Sequence, residues 1–274
     1  MRDKLQTLLA RLRFDGMAAA LDGELERAER EGTPAPELIH RLLCAEAASQ
    51  RERSLAYRLK QARLPWDWTL ETFPFEEQPS LNKGQIKTLA GLDFLSRANN
   101  IVLTGKAGTG KTGIAIGILR EACLNGYRGR FYDAQDLLDE LYASLADRST
   151  SRLLKRLSRL QPLVIDRVDN LNVKPEQANA FFRLIDQRYN RVSTIITTSL
   201  DLDEWYELFE KKHLVDALLD RLRRRCISIN IDGSSLRSPE ANASASPGRK
   251  RPVRPVRQQS RRGVAESGRV GAQP

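Results

Sequence analysis

The chain has 274 residues, 41% of them hydrophobic and 29% charged, with a net charge of +10. That balance supports a folded domain with its own core plus appendages. It excludes a membrane-spanning helix, because no run approaches the ~18 apolar residues that one requires. The opening Met1-Arg2-Asp3-Lys4 leads into an amphipathic stretch rather than an apolar one. No secretory leader and no membrane partner are therefore expected. Cys44, Cys123 and Cys226 form no CxxC pair and read as small hydrophobes in a reducing cytoplasm. His40 and His213 have no neighbours at metal-ligand spacing. Residues 239–274 hold eight Lys/Arg and two Glu, so they carry +6 of the net charge.

Residues 1–64 read as an all-helical domain. Leu5, Leu8, Leu9 and Leu12 recur at helical spacing, and Met17, Ala20, Leu21 and Leu25 resume the pattern after a break expected near Gly16. Gly32-Thr33-Pro34 marks a turn. A long helix then runs toward Arg63, carrying Arg51, Arg53, Arg58, Lys60 and Arg63 opposite Leu55, Leu59 and Ala62. Two readings of this basic face stand side by side: a solvated helix surface, and a surface that contacts phosphates. Pro65 ends the helix. Residues 65–98 form a linker and entry helix, whose Trp66, Trp68, Phe73 and Phe75 are read as ties to the core rather than as base-stacking groups.

From residue 99 to 238 apolar strands alternate with helices. Strands are predicted at 101–104, 129–132, 163–165, 194–197 and 227–231, with helices at 111–125, around Leu137 to Leu141, around Phe181 to Ile185, and at 214–224. That alternation predicts an α/β fold with a parallel sheet covered on both faces. Residues 239–274 are rich in Ser, Pro, Gly, Ala and Arg and read as a disordered basic tail.

Gly105-Lys106-Ala107-Gly108-Thr109-Gly110-Lys111-Thr112 matches the phosphate-loop pattern GxxxxGK[ST] between a strand and a helix. Glycines let successive N–H groups face phosphate oxygens, and the helix N-terminus adds its positive end. Lys111 is expected to reach the β- and γ-phosphates of ATP, and the Thr112 hydroxyl to ligate Mg²⁺. Leu163-Val164-Ile165-Asp166 is an apolar strand ending in the carboxylate that would hold Mg²⁺ through its water shell. ATPases of this kind usually carry Glu next, to orient the attacking water. Arg167 stands there instead, and a guanidinium cannot accept a proton. Asp169 is the nearest following carboxylate. The pattern predicts intact ATP binding with weak hydrolysis. Ser199 and Thr198, after the fourth strand, are candidates for sensing the γ-phosphate or for capping the turn before Asp201.

Beyond the phosphate loop, several segments resemble the IstB family, the ATP-binding helper proteins of bacterial insertion sequences. They are Gly16-Met17-Ala18, Arg51-Glu52-Arg53, residues 59–63, Gln78-Pro79-Ser80-Leu81-Asn82 with Gln85-Ile86 and Leu92-Asp93-Phe94, Glu204-Trp205, Asp220-Arg221-Leu222, and residues 229–233. That family consists of AAA+ proteins similar to the DnaC helicase loader. The resemblance spans roughly residues 5–237. It implies an AAA+ core without a separate lid, binding of double-stranded DNA, ATP-dependent homo-oligomers, and a partner transposase directed to target DNA. It also implies that Arg221, following Asp220, reaches the γ-phosphate held by a neighbouring subunit. The chain departs from the family at Lys106-Ala107 for the usual Pro-Pro, Arg167 for Glu, and Ser199 for Asn. Alternative readings are a nucleotide-gated DNA scaffold with little hydrolysis, a DnaC-like loader, and, ranked last, a small-molecule kinase.

Overall fold

The computed structural model describes residues 2–171, 173–201, 204–209 and 212–237; the tail reading at 239–274 lies outside the described residues. Met1–Leu236 is one compact unit. Three helices open it: α1 Arg2–Leu12, α2 Asp15–Glu31 and α3 Ala35–Ala62. The α1–α2 break falls at Arg13 and Phe14, not at Gly16, which lies in the first turn of α2. Gly16 serves a different purpose. A Cβ there would stand 2.6 Å from the Ala45 carbonyl oxygen and from Ser49 Cβ, so its absence lets α2 pack closely on α3.

The same contact is capped by a carboxylate. Glu46 on α3 accepts the Gly16 and Met17 N–H groups at 2.8 and 3.2 Å, together with Gln50 and Arg53, each at 3.0 Å. Burial would raise its pKa. Hydrogen bonds from Gln50, Met17 and Gly16 and the charge of Arg53 outweigh burial and hold it below the ordinary 4.5. A lowered folded value contributes stability that is complete above the unfolded value and lost as pH falls through the folded one. The protection of α2 amides, taken relative to an unstructured chain at the same pH, is therefore expected to fall below about pH 4.5, and Glu46→Gln to flatten that dependence. Protection that stays constant across this range would remove the argument.

The linker carries α4 Lys83–Ala90 and α5 Asp93–Ser96. Its aromatic residues behave as ties to the core. Trp68 and Leu70 lie against Gly113 and Gly117, and Phe73 against Gly110, along the first helix of the core. Trp66 stays exposed.

The core runs β1 Asn100–Thr104, α6 Lys111–Leu124, β2 Arg130–Asp133, α7 Ala134–Ala146, α8 Thr150–Leu157, β3 Leu163–Asp166, α9 Pro175–Arg188, β4 Thr194–Thr197, α10 Trp205–Leu208, α11 Lys212–Arg224 and β5 Cys226–Asn230. All five strands are parallel, in the order β2-β3-β4-β1-β5. The five strands fall where apolar runs predicted them; α8 has no counterpart in the sequence reading. Alternate residues of each strand feed two cores. Val102, Ile165 and Ile196 face Leu138, Leu154, Phe181 and Trp205. Ile101, Val164 and Ile195 face Ile114, Ile118, Leu70 and Leu95. Burial on both faces explains why these strands read as continuous apolar runs. The C-terminal strand ends lie together at one edge, where α/β folds of this class place their ligands.

Candidate nucleotide-binding site

The loop between β1 and α6 curls through positive φ at Gly105, Gly108 and Gly110. At Gly105 (φ +135°) no other residue fits, because a Cβ would lie 2.2 Å from the Ile231 carbonyl oxygen. The Lys111 ammonium donates to the Gly105 and Lys106 carbonyl oxygens at 2.5 and 2.8 Å, tying the loop to the start of α6. The segment after β5 runs across this loop. Ile231 N–H bonds to the Thr104 carbonyl and Leu236 N–H to the Gly108 carbonyl, both at 2.9 Å. Gln78 donates to the Ser234 carbonyl at 2.7 Å, and Ser80 Oγ accepts Asp232 N–H at 2.9 Å. The two segments 78–82 and 229–233, singled out separately in the sequence, thus meet beside the phosphate loop. Among the described residues no helix follows β5.

Asp166 ends β3 almost fully buried, at 3% exposure. Its Oδ1 accepts the Thr112 hydroxyl at 2.8 Å and the Thr197 hydroxyl at 2.6 Å. Burial pushes this carboxyl above the usual carboxylate range, opposed by Thr197, Thr112 and the charge of Arg167. Thr112 and Asp166 present adjacent hard oxygen donors at the mouth of the loop, a donor set that suits Mg²⁺. Thr197, which the sequence reading used only as a strand residue, is the β4 hydroxyl that reaches Asp166. Ser199 instead donates through Oγ to Asp169 Oδ2 at 2.7 Å and through its N–H to Asp169 Oδ1 at 3.0 Å. Thr198 Oγ1 accepts Leu200 N–H at 3.1 Å, a local turn.

Arg167 holds a left-handed backbone (φ +62°), fixed by its N–H on Thr197 Oγ1 at 2.9 Å. Its guanidinium binds Asp133, with Nε 3.0 Å from Oδ2 and Nη2 on the same oxygen, and stands 3.8 Å from Asp166 Oδ2. Asp133 ends β2 directly opposite Asp166 in the register, and its other oxygen caps α7 through Gln135 N–H. Burial would loosen the Arg167 proton. The hydrogen bond to Asp133 and the charges of Asp133, Asp166 and Asp169 outweigh it and raise the pKa. No motif announced the Asp133–Arg167 pair, since 34 residues separate its members.

The remaining predicted residues lie apart from this cluster. Arg221, on α11, forms an ion pair with Asp186 at 2.8 Å and donates to the Ala217 carbonyl at 2.9 Å. Arg53 is engaged by Asp15 and Glu46. Arg58 donates to the Cys123 carbonyl at the end of α6 at 2.8 Å and to Ser54 at 2.6 Å. Arg51, Lys60 and Arg63 are exposed.

Comparison with known proteins agrees with this geometry. The family described as IstB-like ATP binding protein matches residues 7–244. A protein of Pseudomonas aeruginosa described as an ATP-binding protein of insertion sequence IS21 is 35% identical over 237 residues, covering 86% of this chain and 89% of that one. One of Geobacillus stearothermophilus, from insertion sequence IS5376, is 32% identical over 240 residues, covering 88% and 96%. Among solved structures the DnaC helicase loader superposes with a TM-score of 0.53 at 24% identity, covering 62% of this chain and 99% of that one. DnaA of Aquifex aeolicus bound to AMPPCP gives 0.51 at 22%, covering 62% and 51%. At those identities the structures speak for the fold alone, a parallel α/β core with a phosphate loop. Phosphate loop, strand order and family match converge: this chain belongs to the IstB-like ATP-binding proteins, the ATP-binding helpers of insertion sequences.

Proposed function

We propose that the chain binds ATP with Mg²⁺ at the 105–112 loop, that ATP joins its copies into homo-oligomers on double-stranded DNA, and that the assembly directs a partner transposase to target DNA in the cytoplasm. The observation that carries the nucleotide part is the convergence of Thr112, Asp166 and Thr197 at the mouth of the phosphate loop. In this reading the loop N–H groups cradle the phosphates and Lys111 supplies a point charge. Thr112 and Asp166 hold Mg²⁺, which when bound would neutralise charge shared by the β- and γ-phosphate oxygens. Arg221, partly exposed at the end of α11, would exchange Asp186 for the phosphate bound by a neighbouring copy. Apolar side chains left exposed on the first three helices, Leu5, Leu8, Leu12, Ile39 and Leu43, favour assembly. The DNA reading narrows to Arg51, Lys60 and Arg63, because Arg53 and Arg58 are spent within the fold.

A second reading, a nucleotide-gated scaffold with little hydrolysis, is favoured by Arg167. The two carboxylates near it that could replace the glutamate, Asp133 and Asp169, are held by Arg167 and Ser199. Duplex binding and particle size, measured with ADP, ATP and a non-hydrolysable analogue alongside phosphate release, test both. ATP-dependent particles on DNA are expected, with turnover below ~1 s⁻¹. Faster release would discard the scaffold; no duplex binding would discard both. Particles that recruit a replicative helicase instead of a transposase would favour the loader reading. Arg221→Ala is expected to bind ATP yet fail to form the particles. Normal assembly of that variant would refute the finger.

A further inference from the structure

Arg130 opens β2, an edge strand, and is only 9% exposed. Its guanidinium lies 4.9 Å from the centre of the Tyr132 ring, and its buried Nε has no hydrogen-bond partner. Among the described residues no carboxylate forms an ion pair with it. The carboxylate whose charge it feels, Glu140, is already taken: it accepts the Tyr132 hydroxyl at 2.8 Å and Arg156 Nη2 at 2.5 Å. Burial lowers the pKa of Arg130, and the charges of Arg63, the residue capping α3, and of Arg156 lower it further, against Tyr132 and Glu140. Arg156 and Tyr132 thus share Glu140, Arg130 stands over the Tyr132 ring, and Arg63 ends the helix α3 that packs against β2.

A buried guanidinium N–H without an acceptor is costly, and native structures give such groups a partner. On a cation with further arginines in its neighbourhood, the acceptor that suits it best is an anion. Guanidinium groups in this number suit a phosphate, with its several acceptor oxygens. Lys60 lies one helical turn before Arg63 and continues the basic line outward along α3.

We propose that Arg63, Arg130 and Arg156 form an anion site that takes a backbone phosphate of duplex DNA. The duplex part rests on the DNA reading above; the anion part stands on the residues alone. The site shifts DNA contact from the middle of α3, where Arg53 and Arg58 are used internally, to the junction of α3 with β2.

Two measurements on the full chain test it. The first follows thermal unfolding as chloride is exchanged for inorganic phosphate at constant ionic strength. It is done in the Lys111→Ala background, so that the nucleotide loop does not contribute. Phosphate is expected to raise the midpoint by roughly 2–4 °C, and Arg130→Met to erase the rise. The second follows duplex affinity against salt. Arg130→Met and Arg63→Asn, the latter chosen because Asn tolerates the left-handed φ of +52° at residue 63, are each expected to flatten the log–log slope by about 0.9. Arg63 is exposed, so its variant reads binding without disturbing the core. No phosphate effect in the first measurement overturns the site. A phosphate effect with unchanged slopes overturns the DNA assignment and leaves a site for free phosphate. A parent chain that binds no duplex overturns the DNA reading itself, while the thermal measurement still decides the anion site.

Discussion

Arg188→Ala lowers the unfolding free energy by about 4 kcal/mol, read as a shift of the urea midpoint. Arg188 ends α9 and is 1% exposed. Its guanidinium donates to the Leu157 carbonyl at 2.6 Å, the Leu160 carbonyl at 2.9 Å, the Ser193 carbonyl at 2.5 Å and Thr194 Oγ1 at 2.9 Å. One side chain thereby closes the C-terminal end of α8 and fastens it to the start of β4. Two of those carbonyls, Leu157 and Ser193, also accept a backbone N–H, from Leu160 at 3.2 Å and Leu163 at 3.3 Å; for the Leu160 carbonyl Arg188 is the donor among the described residues. Truncation leaves the Leu160 carbonyl without its donor, which costs roughly 1–3 kcal/mol, strips one of two donors from the Leu157 and Ser193 carbonyls, and opens a cavity the size of a long side chain. Arg188→Met separates the two effects, since it fills much of the volume and restores no donor. It is expected to remain destabilised by more than half the alanine effect. Arg188→Lys, with a compact head and fewer donors, recovers only part. A midpoint for Arg188→Ala within about 1 kcal/mol of the parent would mean that water reaches these carbonyls.

Restoring the glutamate usual for such ATPases fails to restore turnover in this chain. Arg167→Glu weakens ATP binding about tenfold, measured by titration of a fluorescent ATP analogue, and phosphate release does not rise. The reason lies across the sheet. Asp133, Asp166 and Asp169 already surround residue 167, and Arg167 is the cation that balances them. A fourth carboxylate would stand against a polyanionic ligand with nothing to offset it. The Arg167 side chain is about half exposed, so solvent screens part of the effect and tenfold is the scale rather than a larger loss. The pair should therefore be exchanged together. Asp133→Asn still caps α7, because Asn is as good a capping residue as Asp. The double variant Asp133→Asn with Arg167→Glu is expected to recover the parent's affinity and to raise phosphate release. Coupling of this sign between two residues in direct contact is measured by a double-mutant cycle. If Arg167→Glu alone binds ATP tightly and hydrolyses it, Asp133 plays no part in setting the site's charge.

The sequence by itself determined whatever is written in consecutive residues. Gly105, Gly108 and Gly110 with Lys111 and Thr112 place a phosphate loop because backbone curl and helix start are local properties. Ile101-Val102-Leu103 and Leu163-Val164-Ile165 read as strands because both of their faces are buried, which leaves an unbroken apolar run. Gly16 marks the limit of that reading. A glycine inside an apolar pattern signals a break or a close approach with the same letter, and only the position of Ala45 on α3 decides between them. The site's second half was decided by the tertiary structure alone. Thr197 rather than Ser199 meets Asp166, Arg167 meets Asp133, and Arg53 and Arg58 reach Asp15 and the end of α6. Each of these partnerships joins residues far apart in the chain, and a hydroxyl or a charge carries no mark of which distant group will satisfy it. That choice belongs to strand register and helix packing, which bring the ends of β2, β3 and β4 to one edge beside the phosphate loop.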